Sequence, residues 1–130
     1  MSTEIKVLDI SKEADEDLSN DQYRIVVLDA TSLKVRRPDA ATDIPLGVLQ
    51  NAPLIGEAAV VRPLGGGISK IQLGATLAAG VIIGMEYVSA ADAGKAQAAV
   101  VTQYPVGTLL LGGVEDDLGE ALLVPLTVKA

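Results

Sequence analysis

The sequence contains no cysteine and no histidine, and it has neither phenylalanine nor tryptophan. Without cysteine the chain has no disulfides, thiolate nucleophiles or thiolate metal sites, and a reducing compartment is compatible with its composition. Without histidine, a Ser or Thr hydroxyl could be activated only by a carboxylate, a lysine, a tyrosine or the terminal amine, and none of these lies in a recognisable motif. These absences make a catalytic nucleophile hard to find, and we expect no metal dependence and no cofactor.

Basic clusters and long apolar runs are also missing. The formal net charge is −7, and the short group Lys34, Arg36 and Arg37 does not supply the clustered cations that phosphate binding requires. No apolar run approaches the ~20 residues of a membrane span, and the N-terminus lacks the basic start and apolar segment of a secretory signal. We therefore expect no nucleic-acid partner, no membrane partner and synthesis in the cytoplasm.

Small and branched aliphatic residues are abundant. Of the 130 residues 49% are hydrophobic, mostly Ala, Val, Leu and Ile, and 13 Gly and six Pro interrupt them at strand-length intervals. Runs such as YRIVVLD and EAAVVRPL have ordinary strand length, whereas helix-length amphipathic periodicity is absent. The sequence predicts an all-β fold: one compact β-barrel or tulip-like domain of short strands, with an extended N-terminal arm.

The first 21 residues differ in composition from the rest, because they hold two lysines and seven acidic residues, a net charge of −5. EIKVLDI predicts a short strand. SKEADEDLSND is too acidic and too poor in apolar residues to enter a core, and it predicts a solvated linker or a helical turn. We expect an acidic arm over residues 1–21 and a β domain over residues 22–130.

A repeated pattern runs through the β domain. PLGVL, which begins at Pro45, matches PVGTL, which begins at Pro105, about 60 residues later, and GEAAVVRPL resembles GEALLVPL near the end of the chain. The pattern favours two similar β units, over residues 23–64 and 80–126, with GGGISKIQLGATLAA crossing between them. Chance similarity between apolar strands is the alternative interpretation.

Three short segments could carry chemistry, and each has a structural alternative. The glycines 65–67, followed by Ile-Ser-Lys, suggest either an anion-binding loop or a flexible crossover, and they lack the spacing and the following helix of a phosphate loop. The acidic run 115–117 could hold Ca²⁺ or supply paired carboxylates, but a Gly-flanked hairpin tip is where solvated charges are expected. Arg36 and Arg37 could meet a carboxylate of a partner or lie at a solvated strand end.

Several stretches, taken in order, resemble the small capsid decoration, or cement, proteins of tailed bacteriophages. They are DQYRIVVLDA, IPLGVLQNAPLIGEAAVVRPLGGGISKI, GATLAAGVIIGMEYVSAADAGKAQAA, YPVGTLLLGG and GEALLVPL. The resemblance covers nearly everything after residue 20 and departs from the family in the longer, more acidic N-terminal segment. It implies an all-β domain without enzymatic activity that forms homotrimers on the capsid exterior, with terminal arms on the major capsid protein.

Two functions follow from these observations. The favoured one is a structural cement protein of the virion that binds the outside of a phage head as a homotrimer and stabilises the lattice of the major capsid protein. In this interpretation Ile5, Val7 and Ile10 form an arm that adds a strand to the capsid, although an ordinary edge strand of the domain is equally compatible with them. The alternative is a small trimeric β-barrel enzyme or ligand-binding subunit that uses carboxylates between protomers.

Overall fold

The computed structural model describes residues 5–6 and 8–126, and within them it contains eleven strands and no helix. The strands are β1 (Ile5–Lys6), β2 (Ile10–Glu13), β3 (Ile25–Leu28), β4 (Val35–Arg36), β5 (Gly47–Leu49), β6 (Ala58–Pro63), β7 (Gly67–Gln72), β8 (Ile82–Met85), β9 (Ala96–Ala98), β10 (Gly107–Leu111) and β11 (Leu118–Leu123). The all-β prediction is confirmed. No helix in the described part of the chain is long and apolar enough to span a membrane.

The strands form two antiparallel sheets. One has five strands in the order β2-β6-β5-β3-β4, and the other has six in the order β1-β7-β11-β10-β8-β9. Each sheet curls until two distant strands approach each other. Ala14, directly after β2, forms a parallel bridge with Val35 in β4, and Leu73, directly after β7, forms the same bridge with Ala96 in β9. Each sheet is therefore a small, partly closed barrel.

The two barrels have the same construction. Strands β2, β6, β5, β3 and β4 correspond, in order and in pairing, to β7, β11, β10, β8 and β9. The register agrees as well, because Gly47 pairs with Pro63 while Gly107 pairs with Leu123, and both members of the second pair lie 60 residues after those of the first. The topology supports the two-unit prediction over chance similarity.

The repeated unit begins earlier than the sequence predicted. β2 pairs with β6 as β7 pairs with β11, so that Lys12 faces Ala59 and Ile71 faces Gly119. The acidic N-terminal stretch thus supplies the first strand of one barrel, and the segment predicted to be a crossover supplies the first strand of the other. We call residues 9–64 the first unit and residues 67–124 the second unit.

The expectation of a solvated linker over residues 11–21 is wrong. Ala14 and Leu18 are only 1% and 0% exposed, and both belong to the core of the first unit. The backbone amide of Leu18 donates to the carbonyl oxygen of Pro53 at 2.9 Å, which ties the stretch to the segment before β6. The few apolar residues of this segment lie where the chain faces the barrel interior. The segment is therefore partly buried, although it is rich in acidic residues.

The Gly-Glu-Ala similarity is three residues out of structural register. Gly56 and Glu57 lie in the turn before β6, whereas Gly119 and Glu120 lie inside β11. By the pairing of the strands, the residue equivalent to Gly119 is Ala59, 60 positions earlier. β6 and β11 are equivalent strands, but the Gly-Glu-Ala motif does not occupy equivalent positions in the two units. Its recurrence is a coincidence of composition.

Each unit has a hydrophobic core, and the core of the second unit also contains residues of the first. The first core consists of Ala14, Leu18, Val26, Val35, Leu49, Ala59 and Val61. The second consists of Ile25, Val27, Val48, Ile71, Leu73, Ile83, Met85, Ala96, Val106, Leu109, Ala121 and Leu123. Ile25 and Val27 flank Val26 along β3, and because successive side chains of a strand point to opposite faces, they pack into the second core. One face of the first unit is therefore covered by the second unit.

Candidate interaction surface

The most deeply buried carboxylate among the described residues, Asp21, is held by cations of its own chain. Its Oδ2 lies 2.6 Å from Nε of Arg37, and its Oδ1 lies 3.4 Å from Nη1 of Arg24. Burial raises the pKa of the Asp21 carboxyl above its usual value, while the two guanidinium groups oppose that change. The group joins the start of β3 to the end of β4 and faces no open cleft, which is the arrangement of a structural ion pair.

The acidic run 115–117 is a turn anchored to a buried lysine. Nζ of Lys95 donates to Oδ1 of Asp92 at 2.9 Å and to Oδ1 of Asp116 at 2.7 Å. Burial lowers the pKa of Lys95, but the hydrogen bonds to Asp116 and Asp92 outweigh it, and the net shift is upward. Over residues 5–6 and 8–126, no three acidic side chains converge as a metal site requires. The acidic run 115–117 therefore helps to hold the turn between β10 and β11 in place.

Gly65 and Gly66 lie in a tight turn between β6 and β7, and Gly67 is the first residue of β7. The amide of Gly66 donates to the carbonyl oxygen of Pro63 at 2.8 Å, and a Cβ at Gly66 would lie only 2.7 Å from that oxygen. Nζ of Lys70, the cation of the supposed anion loop, lies 5.7 Å from the centre of the Tyr23 ring. This geometry fits a turn and a cation–π contact rather than a phosphate cradle.

Arg36 and Arg37 are both occupied within the chain. Arg36 forms ion pairs with Asp29, Asp39 and Asp43, and Arg37 forms ion pairs with Glu16 and Asp21. These pairs fasten β4 to the loops on either side of it. The two arginines therefore link β4 to other segments of the first unit.

The three residues of the predicted arm do not share one location. Ile5 in β1 faces Ile68 at the edge of the six-stranded sheet. Ile10 in β2 faces Val61 in the other sheet and packs against the first core. Val7 lies outside the described residues. Strand addition by the N-terminal segment stays a prediction, and the strand available for it is β1, which lies at a sheet edge.

A row of four side chains on the first unit lies at its junction with the second. We call it the first outer row, and it consists of Asp9, Arg62, Val48 and Ile25. Val48 and Ile25 are fully buried in the second core. Arg62 is 5% exposed, and its Nη1 donates to the carbonyl oxygen of Ile68 at 2.7 Å, while its Nε donates to Oδ1 of Asp9 at 2.9 Å. The second unit thus covers this row.

Replacing Asp9 with alanine is expected to destabilise the protein by about 3 kcal/mol, because it removes a carboxylate that is paired with the buried Arg62 guanidinium. Urea unfolding of Asp9→Ala measures the loss. Glu13→Ala is the matched control, since Glu13 forms an exposed ion pair with Lys34 at 2.6 Å and its removal should leave the unfolding midpoint unchanged. Equal effects in the two variants would contradict this account of the row.

The equivalent row of the second unit is partly exposed, with two exposed and two half-buried side chains. It consists of Ile68, Leu122, Thr108 and Ile82, and we call it the second outer row. Leu122 pairs with both Ile68 and Thr108, and Thr108 pairs with Ile82, so the row crosses four adjacent strands. Ile82 is 58% and Leu122 43% exposed, and none of the four side chains is charged.

Two further exposed leucines extend this surface. Leu118 lies on the same face of β11 as Leu122, and Leu110 lies at the irregularity in the β10–β11 pairing. Glu120 and its cross-strand partner Lys70 also lie on this face, yet apolar side chains are more frequent there than on the solvent-facing side of an ordinary antiparallel sheet, on which polar residues predominate. Exposed apolar patches of this kind mark interaction surfaces.

Sequence reasoning did not identify this surface, because its members come from four strands whose pairing the sequence does not give. A signal was nevertheless present in LGEALL of β11, where both alternating sets of positions are largely apolar. Such a strand is typical of a sheet that is buried on both faces.

An apolar groove of about 310 Å³ lies elsewhere on the protein. It is lined by Leu28, Ala30, Ile44, Pro45, Leu46 and Leu126. Because no charged or hydroxyl side chain lines it, the groove offers no group for acid–base or nucleophilic chemistry.

Comparison with known proteins gives a structural likeness only. No protein-family model matches the chain, and no curated protein matches it in sequence. Its fold resembles the crystal structure of the N base of the head fiber protein gp8.5 in bacteriophage phi29, with a TM-score of 0.64 and 15% sequence identity. The match covers 95% of this chain and 98% of that one, so the two share one architecture over nearly their whole lengths.

Proposed function

We propose that the protein is a structural component of a tailed-phage head, a decoration or cement protein that binds the outer capsid surface as a homotrimer and stabilises the lattice of the major capsid protein. The likeness to a phage head fiber base over almost the full length of both chains carries this proposal. Fold alone does not establish function. The proposal draws further support from the surface and from the way the charged groups are used.

The charged groups favour a structural role over the catalytic alternative. That alternative requires carboxylates to face a ligand between protomers. In the described part of the chain the buried charges form internal pairs instead: Asp21 with Arg37, Arg62 with Asp9, and Lys95 with Asp116. These pairs join one segment of the chain to another, so the buried charges serve the fold.

Capsid attachment is assigned, within this proposal, to β1 and the residues around it. β1 lies at the edge of the six-stranded sheet, and an edge strand offers unpaired backbone groups to an added strand. Among the described residues of the predicted arm, Ile5 lies in this edge strand. Ile10 contributes to the fold of the first unit instead, since β2 is paired with β6.

Cosedimentation with phage heads that lack the protein tests the proposal. The heads come from the phage that encodes this chain, and cryo-electron microscopy of the mixture should show added density on the outer surface. Decorated heads should also withstand a higher temperature before they release DNA. Failure of the full-length folded protein to bind heads at any stage of expansion would overturn the proposal.

A variant that lacks residues 1–7 separates the arm from the domain. It retains β2 and the Asp9–Arg62 ion pair, so it is expected to fold. We expect its affinity for heads to fall at least tenfold. Binding equal to that of the full chain would place the attachment surface on the domain.

A further inference from the structure

We propose that a second copy of this chain covers the second outer row by packing against Ile82, Thr108 and Leu122. This inference rests on the self-association that is part of the proposed function, and it locates that self-association on one face of one sheet. The partner is identified from the internal duplication of the chain and from the chemistry of the row.

The duplication provides the first argument. The first outer row occupies the equivalent positions of the first unit, and there a β unit of the same construction covers it. Val48 and Ile25 of that row are removed from solvent completely. Within each chain, this face of the first unit therefore already packs against the second unit. In the described part of the chain, the same face of the second unit has no such cover.

The chemical difference between the rows provides the second argument. The ion pair of Asp9 and Arg62 is replaced by Ile68 and Leu122, so the exposed row carries no charge. Permanent interfaces between identical subunits are more apolar than transient ones. The two charged residues that share this face, Lys70 and Glu120, pair across the strands and offset each other, so for a chain with a net charge of −7 this is also where two copies approach with little repulsion.

Light scattering after gel filtration tests the inference with charge substitutions. Ile82→Lys and Leu122→Lys are expected to reduce the wild-type oligomer to a monomer of 13.4 kDa. Ile55→Lys is the matched control, since Ile55 is an exposed isoleucine in the turn between β5 and β6, and its oligomeric mass should equal that of the wild type. Circular dichroism of each variant establishes that it is folded.

A cysteine probe tests the same face without adding charge. The chain has no cysteine, so Thr108→Cys introduces a single thiol at the centre of the row. Its reaction with a maleimide should slow at least tenfold when the protein concentration is raised from the dilute monomer to the oligomer. Val88→Cys, in the exposed loop between β8 and β9, should react at the same rate at both concentrations.

Each other outcome overturns the inference, and head binding, which is measured separately, shows whether the structural role in the phage head fails with it. A wild-type protein that stays monomeric at high concentration contradicts self-association, whether or not it binds heads. Lysine variants that remain oligomeric, or a Thr108→Cys thiol that is equally reactive in monomer and oligomer, place the interface elsewhere. Variants that remain oligomeric but lose head binding would assign the row to the capsid, which would refute this inference and support the structural role.

Discussion

Deletion of residues 1–20 is expected to abolish folding of the protein. The deletion removes β2, which pairs with β6 over four residues, and it removes Leu18 and Ala14 from the first core. Loss of one large buried aliphatic side chain alone costs about 2–5 kcal/mol, and the total stability of a domain is about 5–15 kcal/mol. Circular dichroism of the truncated chain should show no cooperative unfolding transition with temperature.

The deletion of residues 1–7 is the control for this experiment, because it leaves every strand of both barrels in place and removes only β1 at the sheet edge. Its unfolding transition should remain cooperative. The substitution Leu18→Ala gives an intermediate test, with an expected loss of about 3 kcal/mol. A chain without residues 1–20 that unfolds cooperatively at the wild-type temperature would show that the acidic segment is a dispensable tail after all.

The second large effect is expected at two equivalent glycines. A Cβ at Gly47 would collide with the carbonyl oxygen of Arg62, and a Cβ at Gly107 would collide with that of Leu122. In both units β5 or β10 therefore approaches its neighbour too closely for any side chain. Gly47→Ala and Gly107→Ala should each reduce the free energy of unfolding by about 3 kcal/mol, because the strands must separate to admit the methyl group.

Gly80→Ala is the control for these substitutions. Gly80 has a φ of 90°, yet no atom lies within 4 Å of its hypothetical Cβ, so the substitution costs only the conformational strain of about 1 kcal/mol. Urea unfolding of the three variants measures the difference. If Gly47→Ala and Gly80→Ala lose the same amount, the close approach of β5 and β6 does not determine the requirement for glycine.

The sequence contained enough information for the fold class and for the existence of a repeat. Glycine and proline spacing indicated short strands, and the shared Pro-x-Gly-x-Leu pattern located β5 and β10, which do occupy equivalent places. It was not sufficient for the boundaries of the repeat, because the tripeptide Ile-Ser-Lys that ISKE of β2 shares with GISKIQ of β7 is one residue out of structural register: Lys12 is equivalent to Ile71 and not to Lys70. Their equivalence lies in pairing partners, which composition does not reveal.

The burial of the acidic segment could not be predicted for a similar reason. Leu18 is a single leucine among acidic residues, and only the curling of the sheet that bridges Ala14 to Val35 brings it into a core. The second outer row also depends on strand register, which places Ile82, Thr108 and Leu122 side by side. Local patterns predicted the elements, whereas long-range contacts determined both the core and the surface.

The replacement of one ion pair by two aliphatic residues gives the molecule a direction. A tandem of identical halves could be turned end over end without changing what it presents to its surroundings. Here the half that carries Asp9 and Arg62 is sealed, and the half that carries Ile68 and Leu122 is open. A repeat whose halves differ in this way has two distinct ends, so chains that are arranged in the same orientation all present the open half to the same side.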